Sequence, residues 1–225
     1  MELDRKLSQI PSYSKELGLD LRRSEDRFRW FLASILFAKR ISADTAKKTY
    51  LLFEAEGLTT PDAILRAGWD KLVEVLDAGG YVRYDFSTAS TFLETMEKIK
   101  ARGGLERMHE EAAGPEDLEK RLQELKGVGP VATNIFLREL RGIWPKARPK
   151  PSGLSLEVGR RLKLRAIEPY ESALVRLKLE YCKRKRCGEC PVRSHCREQK
   201  IKPSKRSAAG HRSKRSPETP LPQSG

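Results

Sequence analysis

The chain has 225 residues, 34% of them charged, with 45 Lys and Arg against 31 Asp and Glu for a net charge of +14. That length supports one sizeable core or two small ones without help from disulfides or metal, and no apolar run approaches the roughly eighteen residues that would cross a bilayer. The first residues, "MELDRKLSQIPSYSKEL", lack the apolar centre of a secretory signal. The expectation is a soluble, monomeric protein with no membrane partner, cytoplasmic and nucleoid-associated if prokaryotic, and drawn by its charge toward polyanions.

Phe28, Phe31, Leu32, Ile35 and Leu36 recur at helical spacing behind Ser24, which reads as an N-cap followed by the acidic pair Glu25 and Asp26. Ser42 and Asp44 open a second helix that closes near Gly57. Thr60, Pro61 and Asp62 supply the cap, first-position proline and first-turn acid of a third. A fourth runs from Trp69 to Leu76 and ends at "AGGY". Asp85 is placed to cap a longer helix carrying Phe86, Phe92, Leu93, Met96 and Ile99, and "GPEDLEKRLQEL" starts another at Pro115.

Period-two alternation is missing throughout, so the fold class is all-α. Trp30, Trp69 and Trp144 sit among apolar neighbours and are expected in the core. Tyr81, Arg83 and Tyr84 follow a double glycine, where the aromatic rings either stack in a binding pocket or pack internally. Residues 197–225 carry eight basic and two acidic side chains and almost nothing apolar. A disordered basic tail is expected over 198–225.

The junction "LQELKGVGPVATNIFLREL", residues 122–140, joins two amphipathic helices through a Gly-Val-Gly turn. Gly127 and Gly129 would let the main chain approach a ligand closely, Val128 would plug the turn into the core, and Pro130 falls in the first turn of the second helix. Backbone amides converging on a helix N-terminus beside Lys126 suit one phosphate of a DNA backbone. Contacts of this kind position a protein on a duplex without reading its sequence.

All four cysteines, Cys182, Cys187, Cys190 and Cys196, lie within "CKRKRCGECPVRSHC". Four thiolates in one short loop suit a 4Fe-4S cluster or, alternatively, tetrahedral zinc. Because zinc ribbons usually split their ligands between two distant knuckles, a single loop favours the cluster. Lys183, Arg184, Lys185 and Arg186 fill the first gap, where a metal-pinned loop would hold them ready for phosphates.

Together, "FLASILFAKRISADTA", "GGYVRYDFSTA", "LKGVGPVAT", "GIWP" and the cysteine loop after "ALVRLKLEY" resemble the endonuclease III branch of the helix-hairpin-helix DNA glycosylases over roughly residues 24–197. The resemblance implies two helical lobes: 24–141 with the hairpin at 122–140, and 142–197 with the cluster loop, joined by the N-terminal segment 1–23. It also implies a 4Fe-4S cluster and a double-stranded DNA partner carrying a damaged or mismatched base, which is flipped into a pocket and excised. Lys39 and Arg40 fall where such proteins place the side chain that fills the vacated space.

Two departures from the family pattern bear on chemistry. Val131 stands where bifunctional members carry a nucleophilic lysine. Near the position of their catalytic aspartate the chain has Lys150 or Ser152. A carboxylate there would stabilise the positive charge that develops on the sugar, which serine answers only with a dipole and lysine opposes. The sequence therefore leaves three readings open. One is a glycosylase with a relocated group, either Lys150 as an amine or Asp85, Glu139 or Glu157 as a carboxylate. Another acts only on bases with labile bonds, such as cationic alkylated purines, and the third is a silent binder of damaged DNA.

Overall fold

The computed structural model describes residues 2–198. The tail expected over 198–225 therefore lies, Glu198 aside, outside the described residues. All regular structure among them is helical: α1 Glu2–Ser8, α2 Tyr13–Glu16, α3 Ser24–Phe37, α4 Ala43–Ala55, α5 Pro61–Gly79, α6 Asp85–Ala101, α7 Leu105–Glu111, α8 Pro115–Gln123, α9 Pro130–Arg138, α10 Gly153–Leu162 and α11 Glu171–Arg176. A π-helical turn, Leu177–Cys182, continues α11 into the cysteine loop. No helix among the described residues is long and apolar enough to cross a membrane.

Several helix starts follow the sequence signals. Ser42 Oγ accepts the Thr45 amide at 3.0 Å, and Thr60 Oγ1 accepts that of Ala63 at 3.1 Å. Ser24 and Asp85, in contrast, sit one residue inside their helices, behind Arg23 and Tyr84, which cap with no side-chain bond. The expected third and fourth helices meet at Gly68, whose φ of 74° breaks α5 in two.

Two apolar cores form. The larger is centred on α3, which packs against α4 and α9, while α5 lies along α6. Its aromatic rings interlock edge to face, with Phe31 to Phe136 at 5.3 Å, Phe53 to Phe92 at 5.4 Å and Phe136 to Trp144 at 5.5 Å. The smaller buries Leu7, Val158, Leu162, Ala173, Leu174, Leu177 and Val192.

The segment 1–23 divides between the two cores. Leu7 joins the smaller one, whereas Tyr13, Leu17, Leu19 and Leu21 join the larger, as do Trp144 and Ala147 from beyond the expected boundary at 141. Chain order and lobe membership part here because apolar side chains on either side of a boundary join whichever core lies nearer.

Of the aromatic side chains near the turns, Tyr81 takes the internal alternative and Trp69 departs from the core place expected of it. Tyr81 is fully buried, and its hydroxyl donates to the Leu36 carbonyl at 2.5 Å, so it packs rather than stacks on a ligand. Trp69 and Phe86 are exposed, with their rings 5.3 Å apart and Trp69 Nε1 donating to Ser90 Oγ at 3.0 Å. Satisfying each other at the surface removes the need for a place in the core, which Trp30 and Trp144 do occupy.

Candidate functional site

A cleft of about 1340 Å³ opens between the two cores. Facing stripes of α8 and α9 form one wall: Glu116, Glu119, Lys120 and Gln123 on α8, and Val131, Asn134, Ile135 and Arg138 on α9. Both sets follow the i, i+3, i+4, i+7 spacing of one helix face. Lys39 and Arg40 border the cleft from the end of α3, Lys150 and Ser152 from the approach to α10, Glu157 from α10 itself, and Lys183 from the cysteine loop. Tyr13 and Phe37, stacked with centroids 4.8 Å apart, provide an aromatic wall.

The turn between α8 and α9 is built as its sequence suggests, with one correction. Gly127 adopts φ +75°, and a Cβ there would meet Thr91 Cγ2 at 2.2 Å, so both the angle and the close approach require glycine. Gly129 is extended, at φ −88° and ψ −177°, with open space around it, and does not use the freedom expected of it. Val128 is buried beneath the turn. Its amide donates to the Leu125 carbonyl at 3.1 Å, which withdraws it from any ligand. The amides of Gly127 and Gly129 find no backbone acceptor among the described residues, and α9 begins at Pro130 without a side-chain cap. Lys126 pairs with Glu94 across the turn.

Three side chains hold the segment that presents Lys150 and Ser152. Arg141 donates to the Pro149 carbonyl at 2.6 Å, Asn134 to the Lys150 carbonyl at 2.9 Å, and the Ser152 amide to Glu171 at 2.8 Å. Glu171 is 1% exposed and forms an ion pair with Arg141 at 2.6 Å. Ser152 itself caps α10, accepting the Ser155 amide at 3.3 Å, which occupies its oxygen.

The expected carboxylates fare unequally. Asp85 stands outside the cleft and accepts the Phe86 amide at 2.7 Å. Glu139, also outside, accepts from Ser172 at 3.3 Å and from the Ser14 amide at 3.4 Å. Glu157 borders the cleft, but Lys178 and Arg161 each reach it at 2.5 Å and hold its carboxyl below the usual range. Glu119 was not foreseen. Burial raises its carboxyl, against an opposing pull from Lys150 and with a further push from Glu116. The polar stripe along α8 was legible in the sequence, but nothing there showed that it faces a cavity.

Arg83 is exposed near the start of α6 and does not border the cleft. In the cysteine loop, Arg184 reaches Asp44 at 3.4 Å and Arg186 reaches Glu189 at 3.7 Å, while Lys185, also exposed, takes φ +56°. Of the four loop cations, Lys183 alone lines the cleft.

The four thiols are free and half-buried, and Cys182, Cys190 and Cys196 pack against the smaller core. Burial pushes the Cys182 and Cys190 thiols up, and the other cysteines add to it. A positive centre among them would reverse that penalty. Among the described residues, no group of three or more His, Cys, Asp or Glu is gathered closely enough to hold a metal ion. The four thiols offer a soft donor set. No family model, curated protein or solved structure matches this chain.

Proposed function

We propose that the protein grips duplex DNA along the rim of this cleft, receives a damaged or mismatched base turned out of the helix, and hydrolyses that base from its sugar. One observation carries the reading: Pro130 and Val131, the first residues of α9 beside the α8–α9 turn, Lys39 and Arg40, Lys150, and Lys183 all border one cavity, while the turn's own Lys126, Gly127 and Gly129 are outside its lining. A helix-hairpin-helix phosphate grip, a gap-filling side chain and a cationic loop are needed on the same side of a duplex, and these residues come from four separate stretches of chain.

Cys182, Cys187, Cys190 and Cys196 would hold a 4Fe-4S cluster or, alternatively, one zinc ion, and their place in a single short loop favours the cluster. Such a cluster would brace the loop that carries Lys183. For the chemical step, Glu119 and Glu116 are the cleft carboxylates without an ion pair among the described residues, and Glu119 is the one drawn into the wall, where its ionised form would stabilise positive charge on the sugar. Lys150, held by its backbone clamp, offers a relocated amine.

A binder without chemistry is the second reading, and the engagement of Glu157 by two cations favours it. Duplexes carrying single lesions distinguish the two. Wild type is expected to release free base, and Glu119→Gln or Lys150→Ala to slow release by about 100-fold or more, the scale of one electrostatic or acid–base group. Tight binding with no release across the panel selects the binder. Absence of any salt-dependent duplex binding rejects both.

A further inference from the structure

The inner wall of the cleft holds a charge that the fold leaves unanswered. Arg138, the last residue of the α9 stripe, is 7% exposed, and it makes no hydrogen bond or ion pair with any described residue. Its Nε is shut off from solvent. Glu139 and Glu171 attract it across space without bonding it, and each also serves other donors. Glu139 serves Ser14 and Ser172, Glu171 serves Arg141 and Ser152, and Glu180 takes the Tyr13 hydroxyl at 3.1 Å. A guanidinium remains charged inside a protein, and burying one without a partner opposes folding.

Arg138 also borders a smaller cavity of about 670 Å³ behind α9. The cleft is the better outlet, since Val131, Asn134 and Ile135 on the same face of the helix open into it and the Tyr13–Phe37 stack lies beside them. The Tyr13 ring is itself covered by Phe37 and by the Arg176 guanidinium at 4.7 Å, so the apolar surface left beside this planar fork of donors is that of Phe37 and Ile135, which suits a flat ring with hydrogen-bond acceptors along one edge.

We propose that Arg138 is the specificity-determining residue of the cleft, donating to the carbonyl-bearing edge of a ring seated against Phe37 and Ile135 and excluding rings that carry a positive charge. This deepens the reading above and rests on it, the ring being a base turned out of DNA. Guanidinium offers donors and no acceptor, so it matches the oxygens of uracil, hypoxanthine or 8-oxoguanine. A cationic alkylated purine would bring like charge into a site screened from water. Of the substrate classes left open by the sequence, labile cationic bases are thereby disfavoured.

The test uses the full chain and duplexes of one sequence holding uracil, 8-oxoguanine or 7-methylguanine at one position, with affinity measured by fluorescence anisotropy. Wild type is expected to favour the first two over 7-methylguanine by about ten-fold or more, from repulsion between the guanidinium and a cationic ring in a site screened from water. Arg138→Met is expected to bring that ratio to within about two-fold and to raise the melting temperature, because an unpaired buried charge is gone. Arg138→Gln separates the two roles, since it keeps an amide donor for the carbonyl edge but loses the exclusion of cations.

Unchanged ratios in both variants, with helical circular dichroism intact, overturn the proposal, as does a wild-type preference for 7-methylguanine. Should wild type bind none of the duplexes, the DNA reading itself fails. That result is distinct from binding without discrimination, which removes only the role of Arg138.

Discussion

The larger core seals Trp30, Phe31, Tyr50, Phe53, Phe92 and Phe136 away from water, whereas the smaller closes over Leu7, Val158, Leu162, Ala173, Leu174, Leu177 and Val192 alone. Interlocked aromatic rings bury a large apolar area per residue ordered, and the larger core holds together by that means. Seven small or aliphatic side chains do not reach the size at which a core sustains itself. The smaller region is accordingly strapped to its neighbour by polar contacts: Arg176 to Glu16 at 2.9 Å, Tyr13 to Glu180 at 3.1 Å, and Arg141 to Glu171 at 2.6 Å. Its remaining support falls to the cysteine loop, whose far end returns to α10 through the Arg197 amide and the Arg161 carbonyl at 3.2 Å.

The sharpest way to break this contrast is through the thiols. Cys182→Ser combined with Cys196→Ser is expected to remove hydrogen-exchange protection from α10, α11 and the loop while α3, α5 and α6 remain protected. It is also expected to abolish the visible absorbance of the proposed cluster. Equal loss of protection in both cores would show that the smaller one does not depend on its loop.

Next in size is the strap at Glu171. Glu171→Leu leaves Arg141 unpaired beside the segment that holds Lys150, and a loss of about 3 kcal/mol is expected in denaturant unfolding. A pair of glycine substitutions then tests the turn that belongs to the larger core. Gly127→Ala must accept both a left-handed φ and a contact with Thr91, at a cost of about 2 kcal/mol, while Gly129→Ala changes stability by less than about 0.5 kcal/mol. Similar costs at the two positions would contradict the geometry described for the turn.

The smallest effect concerns pH. Because the Glu119 carboxyl is raised in the folded protein, the fold binds its proton more tightly than the unfolded chain does. Its contribution is complete below the unfolded value and is lost as pH rises through the folded one. Glu119→Gln should therefore match wild type in melting temperature near pH 4 and exceed it slightly near pH 8. An advantage confined to acid would reverse the assigned cause.

Much of the candidate site was legible as parts. The Gly-Val-Gly turn and the cysteine loop were marked by local spacing, Lys39, Lys150 and Ser152 by the resemblance to the glycosylase family, and the structure sets Lys39, Lys150, Ser152, Pro130 and Lys183 around one cleft. Tyr81 and Trp69 were harder to place because an aromatic residue near a turn has two faces open to it, and the sequence does not say which meets the core. Tyr81 found the Leu36 carbonyl, whereas Trp69 found Phe86 and Ser90 at the surface.

By itself the sequence determined helices α3 to α6, α8 and α9, the caps at Ser42 and Thr60 and the bend at Gly127, because each depends on φ, on hydrogen bonds within a turn, or on a repeat along one helix. Only the tertiary structure decided that the stripes of α8 and α9 face a common cavity, that Lys178 and Arg161 engage Glu157, and that Arg138 is buried without a partner. Those outcomes depend on contacts between residues far apart in the chain. A helix's periodicity defines a face but carries no information about what lies across from it.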